Sequence, residues 1–171
     1  TPKPSSAASD VYKRQPVILI TGGSRGVGAA TARLAAAQGY DVVISYLSDE
    51  PAADTVIADV RATGRQALAV RADSADPAQV ARLFAELDRT FGRLDVLVNN
   101  AAILQKQCRL EDLDFERMHR IFAVNAIGPI LCAQQAIKRM SSRHNARGGA
   151  VINVSSACLL YTSDAADEGL G

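Results

Sequence analysis

The 171-residue chain has no tryptophan, two histidines, three cysteines and only 5% aromatic residues. Cys108, Cys132 and Cys158 are odd in number and scattered, so neither a disulfide framework nor a cysteine-built metal centre is expected. That usage fits a reduced, cytoplasmic protein, with Cys108 and Cys132 packing as small hydrophobes or idle. His119 and His144 stand in polar, Arg-containing stretches and read as solvated side chains, not metal ligands. Charge of one sign is also lacking. Nineteen Lys and Arg face eighteen Asp and Glu, a formal net charge of +1, which offers nucleic acid or an anionic membrane no attraction. No apolar run long enough to cross a bilayer is evident, nor a charged segment leading into an apolar one as in a secretory signal. The basic cluster Lys138, Arg139, Arg143 and Arg147 reads as a solvated helix end favoured by the helix dipole. What is present is ordinary for a globular domain: 48% apolar and 22% charged residues, enough to bury one core.

Both ends read as foreign to that domain. Residues 1–15 lack apolar periodicity and stop at Pro16, where a strand begins; residues 158–171 break off as abruptly after another strand. A DNA string that encodes Ser5 to Gln15 has a reverse complement which, read one base in, encodes Cys158 to Asp167 and begins Glu168. Two natural segments have no reason to be so related. The string also resembles the adaptor of transposase-based sequencing libraries. Residues 1–15 and 158–171 are therefore expected to be adaptor-like tails around a domain of residues 16–157, and Cys158 and Tyr161 to carry no chemistry.

Strand and helix signals alternate through that domain. Val17 to Ile20 is a short apolar run entering a glycine-rich turn, followed by Val27, Ala30, Thr31, Leu34 and Ala35 at helical spacing, closed by Gly39. Asp41 to Tyr46, Ala67 to Arg71, Leu94 to Val98 and Ala150 to Val154 read as further strands. Helices are expected over residues 52–63 and along Val80, Leu83, Phe84, Leu87 and Phe91, the latter with Pro77 in its first turn and Gly92 past its end. Two more helical segments fill residues 111–145. This order implies an α/β fold, a doubly wound parallel sheet ending after the fifth strand, with ligands beyond the carboxyl ends of the strands.

Thr21-Gly22-Gly23-Ser24-Arg25-Gly26-Val27-Gly28 joins the first strand to the first helix. Glycines there let the backbone turn tightly and approach a pyrophosphate at the helix N-terminus, where free N–H groups and the dipole favour an anion. A P-loop would need a lysine opening the helix, and none is present. A purely structural tight turn is the bland alternative.

The spacing Gly22-xxx-Gly26-x-Gly28 resembles that of the short-chain dehydrogenase/reductase family, and four further matches follow in order. Asp73, next to Ser74, follows the third strand, where the family's aspartate contacts adenine. Asn99-Asn100-Ala101-Ala102 resembles the family's Asn-Asn-Ala-Gly, Ala102 departing from its glycine by a methyl that narrows the space for cofactor. Asn125 resembles the helical active-site asparagine, and Val151-Ile152-Asn153-Val154-Ser155-Ser156 the strand of the catalytic serine. The resemblance implies a Rossmann-like fold, and cofactor contacts from Gly22, Ser24, Arg25, Gly26, Val27, Gly28, Tyr46, Asp73, Ser74, Asn100 and Ala101.

NAD-preferring enzymes carry an acid after the second strand for the ribose 2′-hydroxyl. Tyr46 occupies that place, which removes repulsion of a 2′-phosphate, and Arg25 can reach it as a planar cation. NADP(H) is the expected cofactor, although Asp49 and Glu50 could still accept a ribose, so NAD(H) is admitted.

The resemblance further implies reversible hydride transfer to a small-molecule carbonyl or from a secondary alcohol, in a sugar dehydrogenase-like or 3-oxoacyl reductase-like enzyme that is homo-oligomeric when intact. Catalytic roles fall to Ser156, with Ser155 as fallback, and to Asn125. Pro129 has no N–H for the Asn125 carbonyl, so a local distortion of the helix is expected there. The family's Tyr-xxx-Lys motif, in which lysine lowers the tyrosine pKa, is missing: the last lysine is Lys138. The chain as written is expected to bind nucleotide without turnover. The alternative is a non-catalytic NADP(H)-binding regulator or scaffold, which would have no need of both Ser156 and Asn125.

Overall fold

Five short strands, each apolar enough to be covered on both faces, line up in parallel in the order β3-β2-β1-β4-β5. They are β1 (Val17–Ile20), β2 (Asp41–Tyr46), β3 (Ala67–Arg71), β4 (Val96–Asn99) and β5 (Ala150–Asn153). The computed structural model describes residues 15–156 apart from 107 and 145. The expected tails, with Cys158 and Tyr161, lie outside the described residues save for Gln15.

Side chains alternate across the sheet because successive residues of a strand point to opposite faces. Ile18, Ile20, Val42 and Ile44 face α1 (Gly26–Ala37) and α2 (Glu50–Ala62), while Val17, Leu19, Val43 and Leu97 face α3 (Pro77–Phe91) and the later helices. Each βαβ unit thus returns its chain in the same direction, and every strand-to-helix turn falls at one end of the sheet.

Local signals explain the boundaries. Asp76 caps α3 by accepting from the Ala78 and Gln79 N–H groups, Pro77 follows it, and Gly92 closes the helix at φ +67°. Hydrogen bonds from Gln79 and these backbone groups hold the Asp76 carboxyl below its usual range. Helix α2 starts at Glu50, earlier than the apolar spacing implies, because Asp49 accepts from Ala52 N–H at 3.1 Å and starts the helix before its first buried residue, Ala53. β4 begins at Val96, not Leu94, because the Asp95 side chain accepts from Val17 N–H at 2.7 Å and pairs with Arg93 instead of letting the ladder extend.

The long helical stretch of residues 115–140 differs most from expectation. It comprises α4 (Phe115–Phe122), a widened π turn (Ala123–Ile127) and α5 (Gly128–Met140), with short 3-10 turns at Leu110–Asp112 and Ser142–His144. By length and composition alone this stretch could cross a bilayer, contrary to the reading that no such run exists. Its Cys132, Ala136 and Met140 are nevertheless core residues against the sheet, so it is one layer of the α/β fold. Burial pushes the Cys132 thiol up to about 11, as befits a packing cysteine. Arg139 corrects the expectation of a solvated basic cluster. It pairs with Asp88 at 2.6 Å, and its guanidinium stands 5.0 Å above the Phe84 ring.

Among the described residues β5 pairs only with β4, and Ile152 is 49% exposed. Such an open apolar edge invites pairing between copies. Ile152→Lys should therefore lower self-association in light scattering; equal aggregation of both proteins would exclude β5 as the cause. Phe84 is fully buried, and Phe84→Ala should cost about 3–5 kcal/mol in urea unfolding.

Candidate nucleotide-binding cleft

The strand order reverses between β1, which leads through α1 to β2, and β4, which is reached from β3, and a cleft of about 350 Å³ opens above the carboxyl ends there. The turn after β1 is held down from both sides. From β2, the Ser45 carbonyl accepts from Gly23 N–H at 2.8 Å and the Ser45 hydroxyl from Gly22 N–H at 3.3 Å. From β4, the Asn100 side-chain amide donates to the carbonyls of Thr21 at 2.9 Å and Gly22 at 3.0 Å. Thr21 answers by accepting from the Asn100 and Ala101 N–H groups, both at 3.0 Å.

This crowding explains two glycines. A Cβ at Gly28 would overlap the Gly22 carbonyl oxygen and stand 2.5 Å from Asn100 Nδ2. At Gly22, φ is +65° and a Cβ would lie 2.9 Å from the Ala101 Cα. Helix α1 starts at once behind the turn. Its N-cap, Arg25, makes no side-chain cap, whereas α2, α3 and α4 are capped by Asp49, Asp76 and Asp114. Uncapped first-turn N–H groups that open into a cleft are suited to an anion. The donors, the glycine cradle and the exposed apolar Val27 (61%) fit a dinucleotide with a pyrophosphate bridge.

Of the expected cofactor residues, Gly22, Ser24, Arg25, Gly26, Val27, Tyr46, Asp73, Ser74, Asn100 and Ala101 all line the cleft. Gly28 lies beneath it as packing. The Asn100 amide is spent on the glycine turn, so its part is structural support of the floor. Tyr46 is buried, and burial first, then the Glu50 and Asp54 carboxylates, raise its pKa above the usual value. Asp49 accepts from Ala52 N–H at 3.1 Å, so one of the two acids able to serve a ribose already caps α2.

Asn125 and Ser156 lie outside the lining of the cleft. The helix is distorted at Asn125 as Pro129 implies: Gly128 N–H donates to the Ala123 carbonyl, five residues back, in the π turn. There the Asn125 amide pairs with the backbone of Ile103, accepting from its N–H and donating to its carbonyl, each at 2.9 Å. Ser156 follows β5 at the same end of the sheet as the glycine turn.

Four contributors escape the sequence reading. Ser45 anchors the turn, and Ser48 and Arg120 line the cleft. Asn99 donates to the Pro129 carbonyl at 3.2 Å and to Asn153 Oδ1 at 2.9 Å, joining β4, α5 and β5. Asn99 lies within a recognised motif, but nothing in the sequence specifies its partners.

The short chain dehydrogenase family profile matches residues 16–165. An uncharacterised oxidoreductase of Escherichia coli, YgfF, is 42% identical over 140 residues, covering 82% of this chain and 57% of that protein. A 3-oxoacyl-[acyl-carrier-protein] reductase of Synechocystis is 38% identical over 140 residues, covering 82% and 55%. A short chain dehydrogenase of Burkholderia cenocepacia, solved in complex with NADP, superposes with a TM-score of 0.80 at 37% identity, covering 89% of this chain and 60% of that one. The chain spans little more than half the length of the curated relatives it matches. With its parallel sheet, its glycine turn and these matches, the chain belongs to the short-chain dehydrogenase/reductase family.

Proposed function

We propose that this chain is the nucleotide-binding part of an NADP(H)-preferring oxidoreductase of a small-molecule carbonyl or secondary alcohol. The observation that carries the preference is the charge pattern beyond β2. Tyr46 stands where a carboxylate would repel a 2′-phosphate, Arg25 lines the same cleft, and the Asp49 carboxylate caps α2 through Ala52 N–H. Arg25 would clamp the 2′-phosphate, with the Ser48 hydroxyl beside it. The first-turn N–H groups of α1 would hold the pyrophosphate, and Asp73 would accept from the adenine. The bound cofactor supplies or takes the hydride.

Ser156 would orient the substrate oxygen, and Asn125, fixed on Ile103, would offer its surroundings to a relay water. No Tyr-xxx-Lys can be drawn from this sequence beyond Ser156, because Lys138 is the last lysine. Without that proton donor the chain as written binds nucleotide and does not turn over. A substrate like that of a 3-oxoacyl reductase is supported by the Synechocystis relative, and one like that of a sugar dehydrogenase by the family resemblance. Homo-oligomer formation by the whole protein is supported by the apolar side chains that α4 and α5 expose, among them Phe115, Phe122 and Ile130.

Fluorescence titration of the chain should give tighter binding of NADPH than of NADH. Arg25→Ala should weaken NADPH by about tenfold, the order expected for losing one charge-assisted contact, and NADH far less. Equal losses would remove Arg25 from the 2′-phosphate. Gly28→Ala should abolish binding of both nucleotides and destabilise the fold by about 1–3 kcal/mol, the usual cost of overpacking; retained affinity would contradict the cradle.

A further inference from the structure

Arg120 lies in the last turn of α4, and its Nη2 stands 2.8 Å from Asp73 Oδ2. Both residues line the cleft. The other Asp73 oxygen accepts from Ala75 N–H at 2.9 Å, and Asp73 N–H donates to Gln79 Oε1 at 3.0 Å, so the turn after β3 holds this carboxylate in place. The ion pair joins that turn to the helix on which Asn125 sits one turn later. The same helix meets the cleft wall twice more. A Cβ at Gly128 would stand 3.0 Å from the Ser74 carbonyl oxygen, and Asn125 is doubly bonded to Ile103.

We infer that Arg120 is a positioning residue for the adenosine half of the dinucleotide, acting by neutralising and fixing Asp73. This rests on the dinucleotide-binding reading. Four charged side chains line the cleft: Arg25 and Arg120 against Asp49 and Asp73. They balance, and a polyanion enters. Removing Arg120 leaves a carboxylate facing that polyanion without its counter-charge, so affinity falls although Asp73 is untouched. Asp73 follows β3, on the opposite flank of the sheet from β5 and Ser156. The effect therefore belongs to the adenosine half and spares the nicotinamide half.

Isothermal titration of the chain with NADPH, 2′,5′-ADP and reduced nicotinamide mononucleotide tests this. Arg120→Met should weaken NADPH and 2′,5′-ADP alike by about threefold to fivefold, the range for a partly exposed ion pair, and leave the mononucleotide unchanged. The loss should shrink at high salt. Arg120→Lys should recover most of it. Unchanged 2′,5′-ADP affinity in Arg120→Met, equal losses for all three ligands, or no recovery in Arg120→Lys would each overturn the inference while leaving the dinucleotide reading intact. Failure of the unaltered chain to bind NADPH would overturn both.

Discussion

The Asn100 side-chain amide donates to two successive carbonyls, those of Thr21 and Gly22, and much of the cleft follows from this contact. The bonds draw the end of β4 against the turn after β1, and the Thr21 hydroxyl, accepting from two N–H groups, locks the approach from the other side. With the backbones so close, no Cβ fits at Gly28, and Gly22 must take a positive φ. The floor of the cleft is backbone on backbone, which leaves the first turn of α1 open above it.

Helix ends divide the labour. Asp49, Asp76 and Asp114 each satisfy the N–H groups of the helix they begin, closing those ends to a ligand. Helix α1 begins without such a cap, so its donors and its dipole are available where the strand order reverses between β1 and β4. Family membership accounts for a nucleotide at this place; the uncapped end and the balanced charges of the lining account for how an anion is received there.

The helix of residues 115–140 is more than a cover for the sheet. Cys132, Ala136 and Met140 bury its inner face, Arg139 ties it to α3 through Asp88 and Phe84, and the π turn interrupts it next to the cleft. Pro129 contributes to that interruption by lacking an N–H, while its own carbonyl accepts from Asn99. The distortion is thereby anchored to β4 and β5, the strands that lead to Asn100 and to Ser156. On its outer side the helix leaves Phe115 and Phe122 exposed.

The alternation of strand and helix, the helix positions and the glycine turn were legible from the sequence because they depend on local patterns: short apolar runs, helical spacing, and glycine or proline at element ends. Ten of the cleft residues were legible for the same reason, each lying in or beside a motif next to a strand end. Boundaries shifted where a side chain took an unforeseen partner, as Asp49 and Asp95 did. Arg139 and Arg120 could not be read at all, since an arginine in a polar stretch looks solvated until a distant carboxylate is brought beside it. Sequence alone therefore determined the fold, the family and the place of the cleft. Tertiary structure decided which charges face one another inside it, because ion pairs such as Arg120–Asp73 join residues far apart in the chain whose meeting no local pattern records.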